Sequence, residues 1–290
     1  MERSTPDLRW HRTTLDGREV FYGDVGEGPP AIFVHGWGLT SRAYAEAIEA
    51  LAKSGRRVIA PALPGFGKSA PLLGALTWER LAWWMKQLLE HIGIEEPAFF
   101  IGHSFGGAVS TATAWYHPEL VRSLTLVNAV GGAVWKSSDG DEEHHLQDRP
   151  LWDWALGLPR EFTKREYRKV FPVVARDFVT NALFNLPALA RAANMARTAD
   201  LRDELTELAD RGLPVTILWG DQDAVVPEAA FAATCEALGA TGDLVHGGEH
   251  SWLLADPEGF GEIMTNSLAA HAMLEHGRRR LDVERAGPAA

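Results

Sequence analysis

Short apolar runs rich in β-branched and aromatic residues alternate along this chain with longer stretches in which apolar positions recur at a helical period. Because parallel strands need a crossover between them, the alternation predicts an α/β fold, a mostly parallel twisted sheet with helices on both faces. We expect an antiparallel partner near the first strand. The short runs predict strands at Glu19–Tyr22, Ala31–His35, Arg57–Ala60, Ala98–Ile101, Ser123–Val127, Val215–Trp219 and Gly242–Val245.

The longer stretches have the spacing of amphipathic helices, with apolar residues three or four positions apart. Most of them lie between the predicted strands, and one follows the last strand. The predicted helices are Ala43–Leu51, Trp78–His91, Gly106–Tyr116, Glu228–Leu238 and about Pro257–His276.

The alternation of strands and helices stops between about Gly132 and Gly212. There an acidic polar loop, Asp139–Asp148, is followed by tryptophans and then by helical stretches with no strand between them. We interpret this part as a helical cap inserted between two halves of one core. The predicted organisation is a first core part at residues 1–132, the cap at 133–212, a second core part at 213–276 and a frayed tail at 277–290.

The length and charge of the chain narrow this picture. The 290 residues exceed a typical domain of roughly 150, but α/β enzymes often reach about 250 in one domain, so we expect one core with an insertion. Hydrophobic residues make up 46% and charged residues 23%, which is typical of a globular protein. The net charge of −11 opposes attraction to a phosphate backbone, so nucleic acid is not an expected partner.

The termini and the cysteine content bear on the location of the protein. Met1–Trp10 contains no apolar stretch of signal-peptide length, and no later segment reaches about 18 consecutive apolar residues. We therefore expect no membrane span and a cytoplasmic location. Cys235 is the only cysteine, which excludes an intramolecular disulfide, and its predicted helix favours a buried or half-buried thiol over a catalytic one.

The strongest chemical signal is Gly102–Gly106, a Gly-His-Ser-Phe-Gly sequence directly after an apolar strand and directly before a helical pattern. A serine on such a tight strand-to-helix turn needs small neighbours, and the turn exposes its hydroxyl above the edge of the sheet. Without its flanks the motif would equally suit a glycine-rich turn with a capping serine. In this context we predict that Ser104 is a nucleophile.

A serine nucleophile needs a base within hydrogen-bond reach and a third group that fixes the tautomer of that base. His250 lies in the glycine-bearing loop Gly247–Trp252, after a predicted strand and before the last helix, which is the position expected for the base. His246 belongs to the strand end and His103 to the turn itself, so both are weaker candidates.

Two carboxylates, Asp221 and Asp223, follow the strand Val215–Trp219 and could orient the histidine. Asp221 comes directly after a glycine and can cap the turn, whereas Asp223 lies farther into the loop and is better placed to reach His250. We favour Asp223. The pair His144 and His145 stands beside acidic residues, but a solvated charge run explains it better than a metal site, so we predict no metal.

Hydrolysis through a tetrahedral intermediate also needs two backbone donors for the oxyanion. The amide of Phe105, just after the nucleophile, can supply one. The segment His35–Gly38 ends a strand with a turn that can direct the amide of Trp37 inward, although a plain tight turn would have the same letters.

The serine, aspartate and histidine follow one another in the order found in the α/β-hydrolase superfamily, and the sequence from Phe21 to Met273 resembles its lid-bearing, esterase-like members. The resemblance implies an α/β-hydrolase fold, a helical cap and an acid three residues after the Trp-Gly glycine, which is Asp223. Ala62 and Glu249 depart from the family pattern. Motifs that carry the resemblance are Pro64–Ser69, Gly102–Gly107, Leu218–Gly220 with Pro227, and Gly248 with Asp256 and Pro257. The segment His35–Leu39 with Pro64–Gly67 is similar to the methyl esterases of the biotin pathway.

These groups predict hydrolysis of a carboxylic ester, or a similar acyl bond, of a small apolar substrate through an acyl-enzyme on Ser104, without a cofactor. Carbon–carbon bond hydrolases and cofactor-free perhydrolases use the same three groups and stay open as alternatives, as does a slow-turnover ligand sensor. Monomer and homodimer are both compatible with the sequence. Aromatic cap residues that could line an apolar pocket, or simply pack, are Trp135, Trp152, Trp154, Phe162, Phe171, Phe178 and Phe184.

Overall fold

The computed structural model describes residues 7–136, 143–148 and 165–269. Its main sheet has eight strands in the order β1-β2-β4-β3-β5-β6-β9-β10. Strands β1 and β2 form an antiparallel hairpin, β2 pairs antiparallel with β4, and the other neighbours are parallel. Each predicted strand is confirmed, and β1 is the expected antiparallel partner. The strands are β1 Arg9–Leu15, β2 Arg18–Val25, β3 Pro30–Val34, β4 Arg57–Pro61, β5 Ala98–His103, β6 Val121–Val127, β9 Val215–Gly220 and β10 Asp243–Val245.

The described helices follow the predicted pattern closely. Helices α2 and α7 begin and end at the predicted residues, and the Thr77 hydroxyl caps α2 by accepting from the Arg80 amide at 3.3 Å. Cys235 lies half-buried in α7, which confirms the expectation for its thiol. The helices are α1 Ala45–Ala52, α2 Trp78–His91, α3 Phe105–Tyr116, α4 Arg165–Arg168, α5 Phe171–Arg197, α6 Arg202–Asp210, α7 Glu228–Leu238, α8 Trp252–Ala255 and α9 at residues 257–269.

The sheet lies between two apolar layers because successive side chains of a strand point to opposite faces. In β3, Ile32 and Val34 face a cluster that includes α2, α3, α6 and α7, whereas Ala31 and Phe33 face α1, α8 and α9. All five residues of β3 are buried. A strand covered on both faces reads as a continuous apolar run, which is why β3 shows no polar alternation in the sequence.

The insertion between β6 and β9 begins with a small hairpin of β7 Val134–Lys136 and β8 Glu143–His145. The expectation of an acidic loop at Asp139–Asp148 is therefore wrong for its second half, which holds β8 and a 3₁₀ turn at Leu146–Asp148. A three-residue strand is too short to show a sequence period, and its partner fixes it instead. Leu146 is fully buried, and its amide donates to the Ala133 carbonyl at 2.7 Å.

The rest of the described insertion consists of α4, α5 and α6. Helix α5 is kinked at Asn185, two residues before Pro187, because proline removes a helical hydrogen bond. None of the helices in residues 7–136, 143–148 and 165–269 combines the length and the apolar character needed to cross a lipid bilayer. The predicted tail at 277–290 lies outside the described residues.

Candidate active site

Ser104 occupies the turn between β5 and α3, at the carboxyl end of the sheet. Its backbone has a φ of 53° and a ψ of −119°, a conformation that costs energy in any residue but glycine. Hydrogen bonds hold it there: its amide donates to the Val127 carbonyl at 3.0 Å, and its carbonyl accepts from the amides of Gly107 at 2.9 Å and Val130 at 3.2 Å. The strained turn is thus fixed by its neighbours on β6 and α3.

The glycines around Ser104 leave space for backbone that packs against them. A Cβ on Gly102 would overlap the Gly106 carbonyl, and a Cβ on Gly106 would overlap the Val34 carbonyl on β3. No flexible side chain is available to move aside at either contact. Strand β5, helix α3 and strand β3 can therefore meet at this turn only with glycine at both positions.

The loops after β9 and β10 bring Asp223 and His250 into direct contact. The Nδ1 atom of His250 lies 2.8 Å from Oδ2 of Asp223, and both side chains are almost completely buried. The other carboxylate oxygen of Asp223 accepts from the amides of Val225 at 2.7 Å and Val226 at 2.9 Å. Because the carboxylate accepts from Nδ1–H, Nε2 of His250 is left as the basic nitrogen.

Asp221, the other candidate acid, belongs to a different contact. It lies 3.1 Å from Nδ1 of His246 and accepts from the Gly247 amide at 2.7 Å. The hydrogen bond from His246 is the main cause that lowers the pKa of this carboxyl below its usual value. Asp221 therefore braces the loop that carries His250, whereas Asp223 touches the imidazole itself.

A second buried histidine, His103, links the serine turn to the loop of His250. Its ring centroid lies 4.9 Å from that of His250, and its Nε2 lies 2.9 Å from the His250 carbonyl oxygen. Its Nδ1 lies 2.9 Å from the hydroxyl of Tyr44, which accepts from the Gly36 amide at 3.3 Å. The hydroxyl can then donate to Nδ1, so Nε2 carries the proton and donates to the carbonyl.

The charge state of His103 fits this arrangement. Complete burial lowers its pKa well below the usual histidine value, and the nearby imidazole of His250 lowers it further. A neutral His103 adds no positive charge beside His250. Since Ser104 follows His103 directly, the ring contact also places the serine turn and the histidine loop side by side.

The segment with Trp37 lies next to the serine. A Cβ on Gly36 would lie 3.3 Å from the Cβ of Ser104, so the absent side chain lets the two backbones approach. The Trp37 indole donates to the Leu189 carbonyl at 2.8 Å and meets the Phe178 ring edge to face at 5.7 Å. Phe105 is the first residue of α3, where a helix leaves its amides without an internal acceptor.

His35 holds this segment from behind. Its Nδ1 donates to the Gly36 carbonyl at 2.8 Å, and its Nε2 accepts from the Leu63 amide at 2.9 Å. Complete burial lowers the pKa of His35 from 6.5 to about 4. A proton on Nε2 would remove the acceptor for the Leu63 amide, so the neutral ring is the form that supports the turn.

Asn128 is a site residue that the sequence analysis missed. It follows β6, is fully buried, and donates from Nδ2 to Oδ2 of Asp223 at 2.7 Å. Its Oδ1 accepts from the Trp252 indole at 2.9 Å and from the Gly220 amide at 3.3 Å. The available signal was a polar residue directly after an apolar strand, since such residues collect at the carboxyl edge of a parallel sheet.

Three polar residues four positions apart fasten α5 to the core, and we call them the clasp: Asp177, Asn181 and Asn185. Asp177 accepts from the Thr40 amide at 3.0 Å and from its hydroxyl at 2.6 Å. Asn181 accepts from the Gly67 amide at 2.7 Å, and Asn185 donates to the Gly67 carbonyl at 3.0 Å. Residues four apart share one face of a helix, so this face of α5 meets the core through hydrogen bonds.

The aromatic cap residues divide into described and undescribed ones. Phe171, Phe178 and Phe184 lie on α5, with exposed fractions of 50%, 38% and 78%. Of these, Phe178 faces Trp37 and borders the candidate active site. Trp152, Trp154, Phe162 and the side chain of Trp135 lie outside the described residues.

The histidine pair His144 and His145 lies exposed on β8. Asp141 and Glu142, and the side chain of Glu143, lie outside the described residues. Within the described part of the chain, no three histidine, cysteine, aspartate or glutamate residues are grouped as metal ligands would be.

The chain is similar to known proteins over most of its length. The sequence model of the alpha/beta hydrolase fold family matches residues 29–192. A protein of Mycobacterium phage D29, provisionally named a non-heme haloperoxidase, is 30% identical over 298 residues, which cover 93% of this chain and 97% of that protein. The pimeloyl-[acyl-carrier protein] methyl ester esterase of Vibrio vulnificus strain YJ016 is 28% identical, over 83% of this chain and 95% of the esterase.

Solved structures share the fold. A thermophilic esterase from Thermogutta terrifontis, solved with malate bound, superposes with a TM-score of 0.68 at 22% identity and covers 92% of this chain and 99% of its own. At that identity the likeness concerns the fold alone.

Proposed function

Because the chain belongs to the α/β-hydrolase fold family, we propose that it is a serine esterase in which Ser104, His250 and Asp223 act together. Its relatives include esterases, and the chain is a hydrolase that acts on ester bonds. The substrate we propose is a carboxylic ester with a small, apolar acyl group. Residues 133–212 would form a cap over the site, with Phe178 and Trp37 as part of the acyl wall.

The observation that carries the proposal is the buried contact between His250 and Asp223 next to a serine in a strained turn. The 2.8 Å contact fixes the tautomer of the imidazole and would stabilise its protonated form. Asn128 adds a second donor to the same carboxylate oxygen. Strain at Ser104 is kept by the surrounding backbone, as expected where a turn must expose a hydroxyl.

The proposed reaction has two steps. Nε2 of His250 takes the Ser104 proton as the oxygen attacks the ester carbonyl, and the amides of Phe105 and Trp37 hold the oxyanion. The imidazolium then protonates the leaving alcohol, which leaves an acyl-enzyme. Water attacks that acyl group in the second step with His250 again as base, and the acid and free Ser104 are released.

The test is hydrolysis of p-nitrophenyl butyrate by purified variants. Ser104→Ala should lower kcat by about 10⁶ if the three groups act as a unit, and Asp223→Asn should lower it by about 10⁴ through the wrong tautomer. The matched control is Ser110→Ala. Ser110 is also buried but lies inside α3, and its substitution should keep kcat within about twofold. Equal turnover in Ser104→Ala and the parent would rule the proposal out, and a single turnover per chain would favour a ligand sensor.

A second candidate is perhydrolysis, favoured by the similarity to the phage protein named as a non-heme haloperoxidase. Hydrogen peroxide would then replace water in the second step and attack the acyl-enzyme. This attack releases a peroxy acid and free Ser104, and no residue of the protein is oxidised or reduced. The test compares two rates with the same acetate ester: the rate of peroxy acid formation in the presence of hydrogen peroxide and the rate of hydrolysis. Their ratio shows whether the acyl-enzyme prefers hydrogen peroxide or water.

A further inference from the structure

A second concavity lies at the joint between α5 and the core, outside the candidate active site. It encloses about 700 Å³, within the range of small-molecule sites. The β1–β2 hairpin, the loops after β3 and β4, and α5 form its walls. Ser104, Asp223 and His250 are not among its lining residues. The clasp residues Asp177 and Asn181 lie in its wall, so an occupant would touch both the insertion and the core.

Three cations converge on this concavity from three separate segments. Arg42 follows β3, Lys68 follows β4, and Arg176 lies on α5. Among the described residues none of the three has a carboxylate partner within salt-bridge distance. The lining holds these three cations and two acids, so positive charge is in excess at this point of a chain whose net charge is −11.

The two acids that line the same space are already bound elsewhere. Glu19 forms an ion pair with Arg12, and Asp177 accepts both donors of Thr40. The hydroxyls of the lining are committed as well: that of Ser41 donates to the Pro61 carbonyl at 2.6 Å. The cations therefore supply the uncommitted polar groups of this site, and they can only donate.

Aromatic rings stand beside the cations. The Arg42 guanidinium lies 4.5 Å from the centroid of Trp10, and the Lys68 ammonium lies 5.9 Å from that of Phe21. A guanidinium stacked on a ring keeps its N–H edge free for a carboxylate or phosphate. Phe184 lines the opening with 78% of its surface exposed, so the site offers apolar contact next to its charge.

We propose that this concavity binds the anionic group of an amphiphile, a carboxylate or a phosphate monoester with an apolar tail. The anion would bridge Arg42 and Lys68 on the core and Arg176 on the insertion. Arg176 directly precedes Asp177 of the clasp, so the bridge would add to the same joint and hold α5 on the core. This site is separate from the ester chemistry and does not depend on Ser104.

The test is calorimetric titration of the full chain with octyl phosphate below its micelle concentration, with octyl glucoside as the uncharged probe and inorganic phosphate as the head group alone. The variant is the triple change Arg42→Gln, Lys68→Gln and Arg176→Gln. A matched control removes three exposed cations of the insertion outside the concavity: Arg168→Gln, Lys169→Gln and Arg191→Gln. Melting temperatures establish that both proteins fold.

We expect octyl phosphate to bind more tightly than either other probe and to raise the melting temperature. In the triple variant Arg42→Gln, Lys68→Gln and Arg176→Gln, which we call the pocket variant, the Kd for octyl phosphate should rise by about tenfold or more, because the charge-assisted hydrogen bonds to the anion are lost. In the control triple the Kd should rise by less than about twofold. Equal weakening in both triples, or no weakening in either, would overturn the proposal.

A lipid head group is the other source of the same chemistry. Cosedimentation with vesicles containing phosphatidylglycerol separates the two sources. Binding of octyl phosphate in solution, lost in the pocket variant, supports a site for single molecules whether or not vesicles bind. Vesicle binding without octyl phosphate binding would overturn it in favour of a membrane-docking surface.

Discussion

The turn that carries Ser104 and the helix α5 both border the candidate active site, but different forces hold them. At the turn, backbone packs against backbone with no room for a Cβ at Gly102 or Gly106. The part of α5 before its kink at Asn185 buries only Asp177 and Asn181 and meets the core through the hydrogen bonds of the clasp, while Leu183 and Phe184 on the same part are 72% and 78% exposed. The Ser104 turn is fixed by close backbone packing, whereas the clasp part of α5 is attached by a few hydrogen bonds.

This difference has a mechanical meaning. Close-packed interiors transmit strain and do not deform gradually, whereas a helix with few buried apolar contacts opens locally at low free energy. The serine turn should therefore stay fixed while the part of α5 before Asn185 detaches and returns, because the part after it is held by buried apolar residues such as Leu189. Substitutions in the two regions test this contrast.

The largest effect should come from Gly106→Ala. The new Cβ would overlap the Val34 carbonyl, and backbone cannot move aside as a flexible side chain could. We expect a loss of about 4 kcal/mol or more in the free energy of unfolding, measured by urea denaturation.

Gly93→Ala is the control for this change. Gly93 has a φ of +74° and no atom near its missing Cβ, so the substitution adds only backbone strain of about 1–2 kcal/mol. Similar losses at both positions would show that conformation rather than packing fixes the serine turn.

The next largest effect is the pH dependence that His35 introduces beside the turn. Its pKa falls from 6.5 in the unfolded chain to about 4 in the folded one, so protonation favours unfolding. The contribution is fully present above pH 6.5 and declines as the pH falls toward 4. Over that range His35 should remove about 3 kcal/mol of stability.

Urea denaturation at pH 7.0, 5.5 and 4.5 measures this decline. The slope of the free energy of unfolding against pH should be smaller in His35→Gln, because glutamine does not titrate. Its amide oxygen can still accept from the Leu63 amide. The substitution His11→Gln, at an exposed histidine of β1, serves as the control and should leave the slope unchanged. A His35→Gln protein with the parental slope would contradict the assignment.

Asp177→Ala should loosen the insertion and leave the turn intact. Thr40 would keep a buried amide and hydroxyl without their acceptor, at a cost of about 2 kcal/mol. Hydrogen exchange should accelerate in the part of α5 before Asn185 and remain slow in β5. Asp203→Ala, an exposed acid on α6, is the matched control. Uniform acceleration of both elements would mean that α5 and the sheet open as one unit.

The smallest effect should come from the exposed face of α5. Leu183→Gln should change the free energy of unfolding by less than about 0.5 kcal/mol, because its side chain is 72% exposed. Leu189→Gln on the same helix should cost about 2–4 kcal/mol, since that side chain is only 4% exposed. Thermal melts of the two variants give the comparison, and a large loss at Leu183 would show that this face is covered in solution.

Local signals explain which parts of the fold were predictable. Helix α2 has a capping threonine and a clear apolar period, and the Ser104 turn has two glycines at fixed positions beside a buried strand. Both features depend only on residues that are neighbours in the sequence, so the sequence alone predicts them. The hairpin β7–β8 was missed because each strand has three residues and depends on the other.

The supporting residues of the site were hidden for a related reason. Asn128 reaches Asp223 across 95 positions, and Tyr44 reaches His103 across 59. Such contacts depend on strand order, which a single sequence does not state. The clasp is a further case, because its helix face looks polar and would be assigned to solvent, although Asp177 and Asn181 are buried.

The start of the insertion meets the residues directly before α6 at a narrow neck. Gly132 forms an antiparallel bridge with Asp200, and the Leu201 amide donates to the Gly131 carbonyl at 2.9 Å. Strands β6 and β9, on either side of this neck, pair directly in the sheet. A segment joined at two adjacent points can be lengthened or replaced without disturbing the pairing of β6 with β9.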